Sequence, residues 1–105
     1  MVARVTMAEV DTLRVPLDEA IALYERSVIP ALQEQDGFEG AYVLATPEGK
    51  AIVLTFWADE VAARAGVESG FYAEQVEKFV TFYRTPPGRE LYDVVIAEAP
   101  ALAAP

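Results

Sequence analysis

The side chains able to hold or act on a small molecule fall on one strand pattern and two helical stripes. Val53, Thr55 and Trp57 alternate along an apolar run and share one of its faces. Tyr24 stands on one amphipathic stripe, and Tyr72, Phe79 and Tyr83 on another. Arg4 sits mid-strand among Val2, Thr6, Ala8 and Val10. Together these types offer aromatic walls, phenol hydroxyls and one cation: the makings of a pocket for a flat ligand, with Arg4 as anchor for an anionic or phenolate group. Each has a plainer reading. Aromatics fill ordinary cores, the Trp57 indole N–H finds a backbone acceptor, and Arg4 is an edge-strand residue with its head in water or paired with a carboxylate such as Asp93. For Arg4 the plainer reading is preferred, because a charge on an apolar strand face is costly unless paired.

What the chain lacks bounds the chemistry further. It has no histidine, no cysteine and no asparagine. The commonest general base, the imidazole and thiolate metal ligands, the thiol nucleophile and any disulfide are therefore excluded. No catalytic residue is assigned, no metal site is expected and no cofactor is called for. Carboxylates such as Asp18, Glu19, Asp59 and Glu60 read as helix starts and polar faces, with Glu74–Lys78 as an i,i+4 pair. Gly37, Gly40 and Gly49 do not make a phosphate-cradling loop, since the first two lead into a strand. Eight basic against 17 acidic residues give a net charge of −9. That sign argues against nucleic acid and against anionic membrane surfaces.

The elements that must position these residues are legible in order. Residues 2–11 alternate as a strand. Pro16, Asp18 and Glu19 open a helix over about 17–35, kinked at Pro30 and closed by Asp36-Gly37. Residues 38–46 and 50–58 form a hairpin about Thr46-Pro47-Glu48-Gly49. Asp59 caps a short helix over 60–66, with Gly66 and Gly70 as interruptions, and a second helical piece carries Tyr72, Val76, Phe79, Val80 and Tyr83, with Phe82 off the stripe. After Pro86-Pro87-Gly88 a last strand covers 90–98. The order β-α-β-β-α-β predicts an α+β, ferredoxin-like antiparallel four-stranded sheet with helices on one face.

The run Ala51-Ile52-Val53-Leu54-Thr55-Phe56-Trp57-Ala58 is apolar on both faces apart from Thr55. Helices on one side cover only one face, and a second copy of the same sheet is the simplest cover for the other. A homodimer is therefore expected.

These residues resemble a known family. The run PALQEQDGFEG with its turn Gly37-Phe38-Glu39-Gly40, the hairpin, and VLTFWADEVAARA with Phe56-Trp57-Ala58-Asp59-Glu60 are similar to the antibiotic biosynthesis monooxygenase-like proteins of the dimeric α+β barrel superfamily. The resemblance covers about 2–98 and implies two subunits with facing sheets and a cavity between sheet and helices in each. Some relatives oxidise aromatic polyketide-like substrates with molecular oxygen and no cofactor, and others degrade heme. The heme-degrading members use a histidine and an asparagine, and the quinone-forming members place an asparagine beside a tryptophan. Here only Trp57 carries over, so heme degradation is not expected.

The expectations are thus one domain over 1–98 with a flexible Ala/Pro tail over 99–105, and a cytoplasmic location, since the N-terminus meets Arg4, Thr6 and Glu9 too soon for a signal peptide and no apolar run spans a membrane. Two functions stand: a cofactor-independent monooxygenase acting on a small aromatic substrate, or a non-catalytic ligand-binding or dimerisation module of the same fold. The cavity residues named for either are Trp57, Tyr24, Thr55, Tyr72, Phe79, Tyr83 and Arg4.

Overall fold

In the computed structural model, which describes residues 1–99, four strands make one antiparallel sheet. They are β1 (Val2–Glu9), β2 (Phe38–Ala45), β3 (Lys50–Trp57) and β4 (Gly88–Asp93), in the order β2-β3-β1-β4. The helices are α1 (Leu17–Leu23), α2 (Ile29–Gln33), α3 (Glu60–Glu68) and α4 (Phe71–Glu77). This is the expected ferredoxin-like α+β arrangement. The expected Ala/Pro tail lies, apart from Ala99, outside the described residues.

A wide π-helical turn over Tyr24–Val28 joins α1 to α2. Its cause is Pro30, which has no N–H to give back to the preceding turn and whose ring crowds that turn's carbonyls. The widened turn accommodates the ring, and the Ile29 N–H bonds back to the Tyr24 carbonyl. The expected kink is therefore an insertion into one continuous rod.

Gly37 ends that rod with φ +80°, a conformation that L side chains rarely adopt. A Cβ there would stand 2.5 Å from the Ala62 Cβ. Its carbonyl accepts from the Ala58 N–H at 2.8 Å, which pins the exit of β3 to the end of the helix. At the start of α3, Asp59 Oδ1 accepts from the Ala62 N–H at 2.8 Å, the expected cap.

Several local expectations are corrected. Gly66 does not interrupt α3: it lies inside that helix, buried against Arg4. The second stripe is helical only to Glu77, and Phe79, Phe82 and Tyr83 follow in turns. Val80 is exposed, and Gln75 is buried in its stead. Lys78 does not pair with Glu74. Its ammonium bonds Gln75 Oε1 at 2.7 Å and the Ser27 carbonyl at 3.4 Å. The last strand ends at Asp93 and not at 98: the ladder with β1 closes at the Val2–Asp93 pair, and beyond it the Val94 N–H donates to the Met1 carbonyl at 3.1 Å.

The helices cover one face of the sheet, and the main core lies between them, built on Val2, Val28, Leu32, Trp57, Ala63 and Phe79. The opposite face carries Met7, Tyr42, Leu44, Ile52 and Tyr92, all exposed in the single chain.

Candidate ligand cavity

The register decides which side chains meet. Arg4 pairs with Thr55, Thr6 with Val53 and Val2 with Trp57 between β1 and β3, so all six point to the helix side. On the other flank of β1, Arg89 lies opposite Thr6 and Leu91 opposite Arg4. β1 is thus an interior strand, which overturns the edge-strand reading of Arg4. Nor does Arg4 pair with Asp93: among the described residues the ion pairs are Arg64–Glu60, Arg84–Glu9 and Arg84–Asp11.

Between this face and the helices lies a cavity of about 110 Å³. Arg4, Thr6, Val53, Thr55 and Trp57 form its floor, with Val43 and Ala45 from β2. Ile21, Tyr24 and Val28 close one side from the α1–α2 rod, and Phe71, Tyr72, Gln75, Val76, Phe79 and Tyr83 close the other. The seven residues singled out from the sequence (Arg4, Tyr24, Thr55, Trp57, Tyr72, Phe79 and Tyr83) all lie on this lining. Ile21 and Val43 line it yet stay exposed, so it opens between α1 and β2.

Tyr83 reaches the cavity from a turn because the chain after α4 zips onto the end of β1. Val10 bridges Tyr83, the Asp11 N–H donates to the Phe82 carbonyl at 2.7 Å, and the Arg84 N–H donates to the Glu9 carbonyl at 2.9 Å. Phe82 packs edge-on against Phe79, with centroids 5.9 Å apart, and serves the core.

Trp57 is the most deeply buried large side chain, at 1% exposure. Its indole N–H donates not to backbone but to Thr55 Oγ1 at 3.0 Å, two residues back on the same strand face. That bond and an edge contact to Phe38 at 5.6 Å hold the indole plane against the floor.

Arg4 is 5% exposed. Its guanidinium lies 5.7 Å from the Trp57 ring centroid and 5.1 Å from that of Tyr72, and donates to the Ala63 carbonyl on α3. A guanidinium carries five N–H donors and stays charged at any physiological pH. Burial lowers its pKa from the ordinary value, the nearby Tyr72 opposes that shift, and the charge of Arg89 adds to it. The Tyr72 hydroxyl and Thr6 Oγ1 are hydrogen-bonded at 2.9 Å.

Burial also pushes the phenols of Tyr24 and Tyr83 up, Tyr83 to about 12. Both stay neutral, so each carries a hydroxyl able to donate a hydrogen bond and neither serves as a base. The lining holds no carboxylate. What the arrangement can do is seat one aromatic ring and stabilise negative charge on it. A cavity somewhat larger than this holds a benzene, whereas drug-sized ligands fill about 300–1,000 Å³.

A second cavity of about 230 Å³ adjoins the first at Arg4 and is lined by Arg64, Val67, Glu68, Arg89, Glu90 and Leu91 as well. Arg89 and Gln75 were not singled out from the sequence. The signal for Arg89 was there in its alternation with Leu91, but it needed the β1–β4 register to say which face they share. Among the described residues, no group of three or more acidic, histidine or cysteine side chains is placed to hold a metal ion. No helix there is long and apolar enough to cross a membrane.

No family profile and no curated protein matches this chain. Solved structures do. The chain is similar to a monooxygenase from the ActVA-Orf6 gene of Streptomyces coelicolor, solved with the ligand nanaomycin D, with a TM-score of 0.74, 23% identity, and 95% of this chain and 92% of that one covered. It is similar to SnoaB, a cofactor-independent oxygenase from Streptomyces nogalater, with a TM-score of 0.73, 14% identity, and 91% and 94% covered. A Nitrosomonas europaea protein of unknown function, NE2512, matches with a TM-score of 0.72, 21% identity, and 95% and 94% covered. Over nearly its whole length, then, this chain shares the fold of these proteins.

Proposed function

We propose that this protein belongs with the antibiotic biosynthesis monooxygenase-like proteins and binds a small, electron-rich phenol in the sheet–helix cavity, oxidising it with molecular oxygen and no cofactor. The observation that carries the reading is the charged guanidinium of Arg4, buried without a carboxylate at the end of an apolar, aromatic-walled cavity. A cation so placed lowers the pKa of a phenol bound beside it and stabilises the phenolate. A phenolate can pass an electron to oxygen, and recombination at the para carbon forms a C–O bond. Loss of water then leaves a quinone: one oxygen atom enters the ring, and the other departs with the two hydrogens lost from carbon and hydroxyl. Tyr24 and Tyr83, kept neutral, donate hydrogen bonds to the developing oxyanion. With no carboxylate on the lining, the phenol proton leaves to water at the α1–β2 mouth.

The working unit in this reading is a homodimer whose sheets face each other, since the outer face of each sheet exposes Leu44, Ile52 and Tyr92.

The second reading is a binding module of the same fold. The absence from the lining of a carboxylate or imidazole able to act as general base favours it, because nothing there accelerates proton removal. Oxygen-electrode traces with quinol and anthrone-type substrates, beside binding isotherms for the same compounds, separate the two. Uptake that disappears in Arg4→Met supports the oxygenase. Binding without uptake across the panel leaves the module.

A further inference from the structure

The polar end of the cavity holds more positive charge than one phenolate requires. Arg4 and Arg89 both lie over the Tyr72 ring, at 5.1 and 4.9 Å from its centroid. Neither forms an ion pair among the described residues, in a chain with 17 acidic side chains to eight basic ones. The third arginine of the adjoining cavity, Arg64, is occupied by Glu60. Glu90 sits opposite Val5 in the register, on the face away from the helices, and Glu68 on α3 is exposed. α3 lies over Arg4 at Gly66, where a Cβ would stand 4.0 Å from Nη1 of Arg4.

We propose that Arg4 and Arg89 form a carboxylate site, and that the protein's ligand is an aromatic acid whose ring fills the apolar cavity while its carboxylate lies between the two guanidiniums. This rests on the aromatic cavity of the preceding section and names the class of compound it takes. Two planar guanidiniums match the two oxygens of a carboxylate. An anion there would relieve both the unpaired burial of Arg4 and its repulsion with Arg89. Arg4 lines both cavities, so a ligand can meet it with its ring on one side and its charge on the other. An aromatic carboxylate is favoured over a free phosphate because the apolar cavity on the other side of Arg4 takes a ring.

The test is calorimetric titration of the full chain at low salt with benzoate, its neutral isostere benzamide and inorganic phosphate. Benzoate should bind roughly tenfold or more tightly than benzamide. In Arg89→Gln, an exposed position whose change leaves the core intact, that preference should shrink to a few-fold while benzamide binding persists. Equal binding of benzoate and benzamide overturns the carboxylate site and leaves the aromatic cavity standing. Phosphate binding as tight as benzoate, with benzamide unbound, overturns it in favour of a simple oxyanion site. No heat from either aromatic probe removes the cavity reading and this site with it.

Discussion

The guanidinium of Arg4 and the indole of Trp57 face each other across the floor of the cavity at 5.7 Å, a charged group against the most buried large side chain of the chain. A fold selected for stability alone would fill such a position with an apolar residue. Trp57 is also the chain's only tryptophan, so its fluorescence reports directly on what happens beside Arg4.

Replacing Arg4 with methionine should therefore leave the melting temperature unchanged or raise it by a few degrees, since a desolvated charge is exchanged for a side chain of similar length. The same variant should lose affinity for phenolate and carboxylate ligands. A thermal melt beside a titration checks both. A fall of ten degrees or more would mark Arg4 as a structural strut held by Trp57, Tyr72 and the Ala63 carbonyl.

Trp57→Ala should be among the costliest single changes, about 3–5 kcal/mol in urea denaturation, because it empties the centre of the main core and leaves Thr55 Oγ1 without its donor. Thr55→Val should cost much less, about 1–2 kcal/mol, as it removes one hydrogen bond and keeps the shape.

Gly37→Ala and Gly70→Ala isolate two contributions. Both glycines have positive φ, 80° and 85°, but only the first has a neighbour where the Cβ would go, the Ala62 Cβ at 2.5 Å. Gly70→Ala should cost about 1–2 kcal/mol for the backbone conformation. Gly37→Ala should cost more, by about 1–3 kcal/mol, because α3 must also be displaced. Equal losses in parallel denaturant melts would show that α3 yields freely.

Alkaline pH should destabilise the fold through Tyr24 and Tyr83. Their folded pKa values are raised above the ordinary 10.0, Tyr83 to about 12, so the unfolded chain releases these protons first. The neutral phenols contribute in full below pH 10, and the contribution is lost as pH rises toward 12. Denaturant midpoints measured across that window should fall less steeply in the double variant Tyr24→Phe/Tyr83→Phe than in the parent chain. An identical slope would show that other groups dominate the alkaline limb.

Leu44→Glu, on the outer sheet face, should halve the mass seen by light scattering without lowering helix content, if that face joins two copies. A parent chain that is already monomeric at micromolar concentration would remove the dimer from the proposal.

The order of elements was readable from sequence because each rests on local chemistry. Asp59 caps α3, Gly37 takes a positive φ, and the turn before Lys50 closes a hairpin through bonds among Thr46, Gly49 and Lys50. The apolar strand around Trp57 also marked both of its faces as apolar; the helices cover one, and the other, with Ile52, is exposed in the single chain. Where neighbours far along the chain compete, the local reading gave way. Gly66 reads as a helix breaker, yet it lies buried inside α3, where the helix packs over Arg4. The apolar residues after Asp93 read as strand, but the ladder with β1 ends at the Val2–Asp93 pair, with one further bond from the Val94 N–H to the Met1 carbonyl.

The site divides in the same way. Residue types and their period of two or of about 3.6 marked Trp57, Thr55, Arg4 and the tyrosines as candidates, and the chain lacks the histidine and asparagine that the resemblance assigns to heme-degrading relatives. Periodicity says which residues share a face and not which face it is. Only the pairing of β1 between β3 and β4 turned Arg4 inward as an interior-strand residue, set Trp57 beneath it and brought Arg89, 85 residues further along the chain than Arg4, to the same ring of Tyr72. Register is a property of the whole sheet, fixed by hydrogen bonds between segments distant in the chain, and so the charge at the end of this cavity was decided by tertiary structure alone.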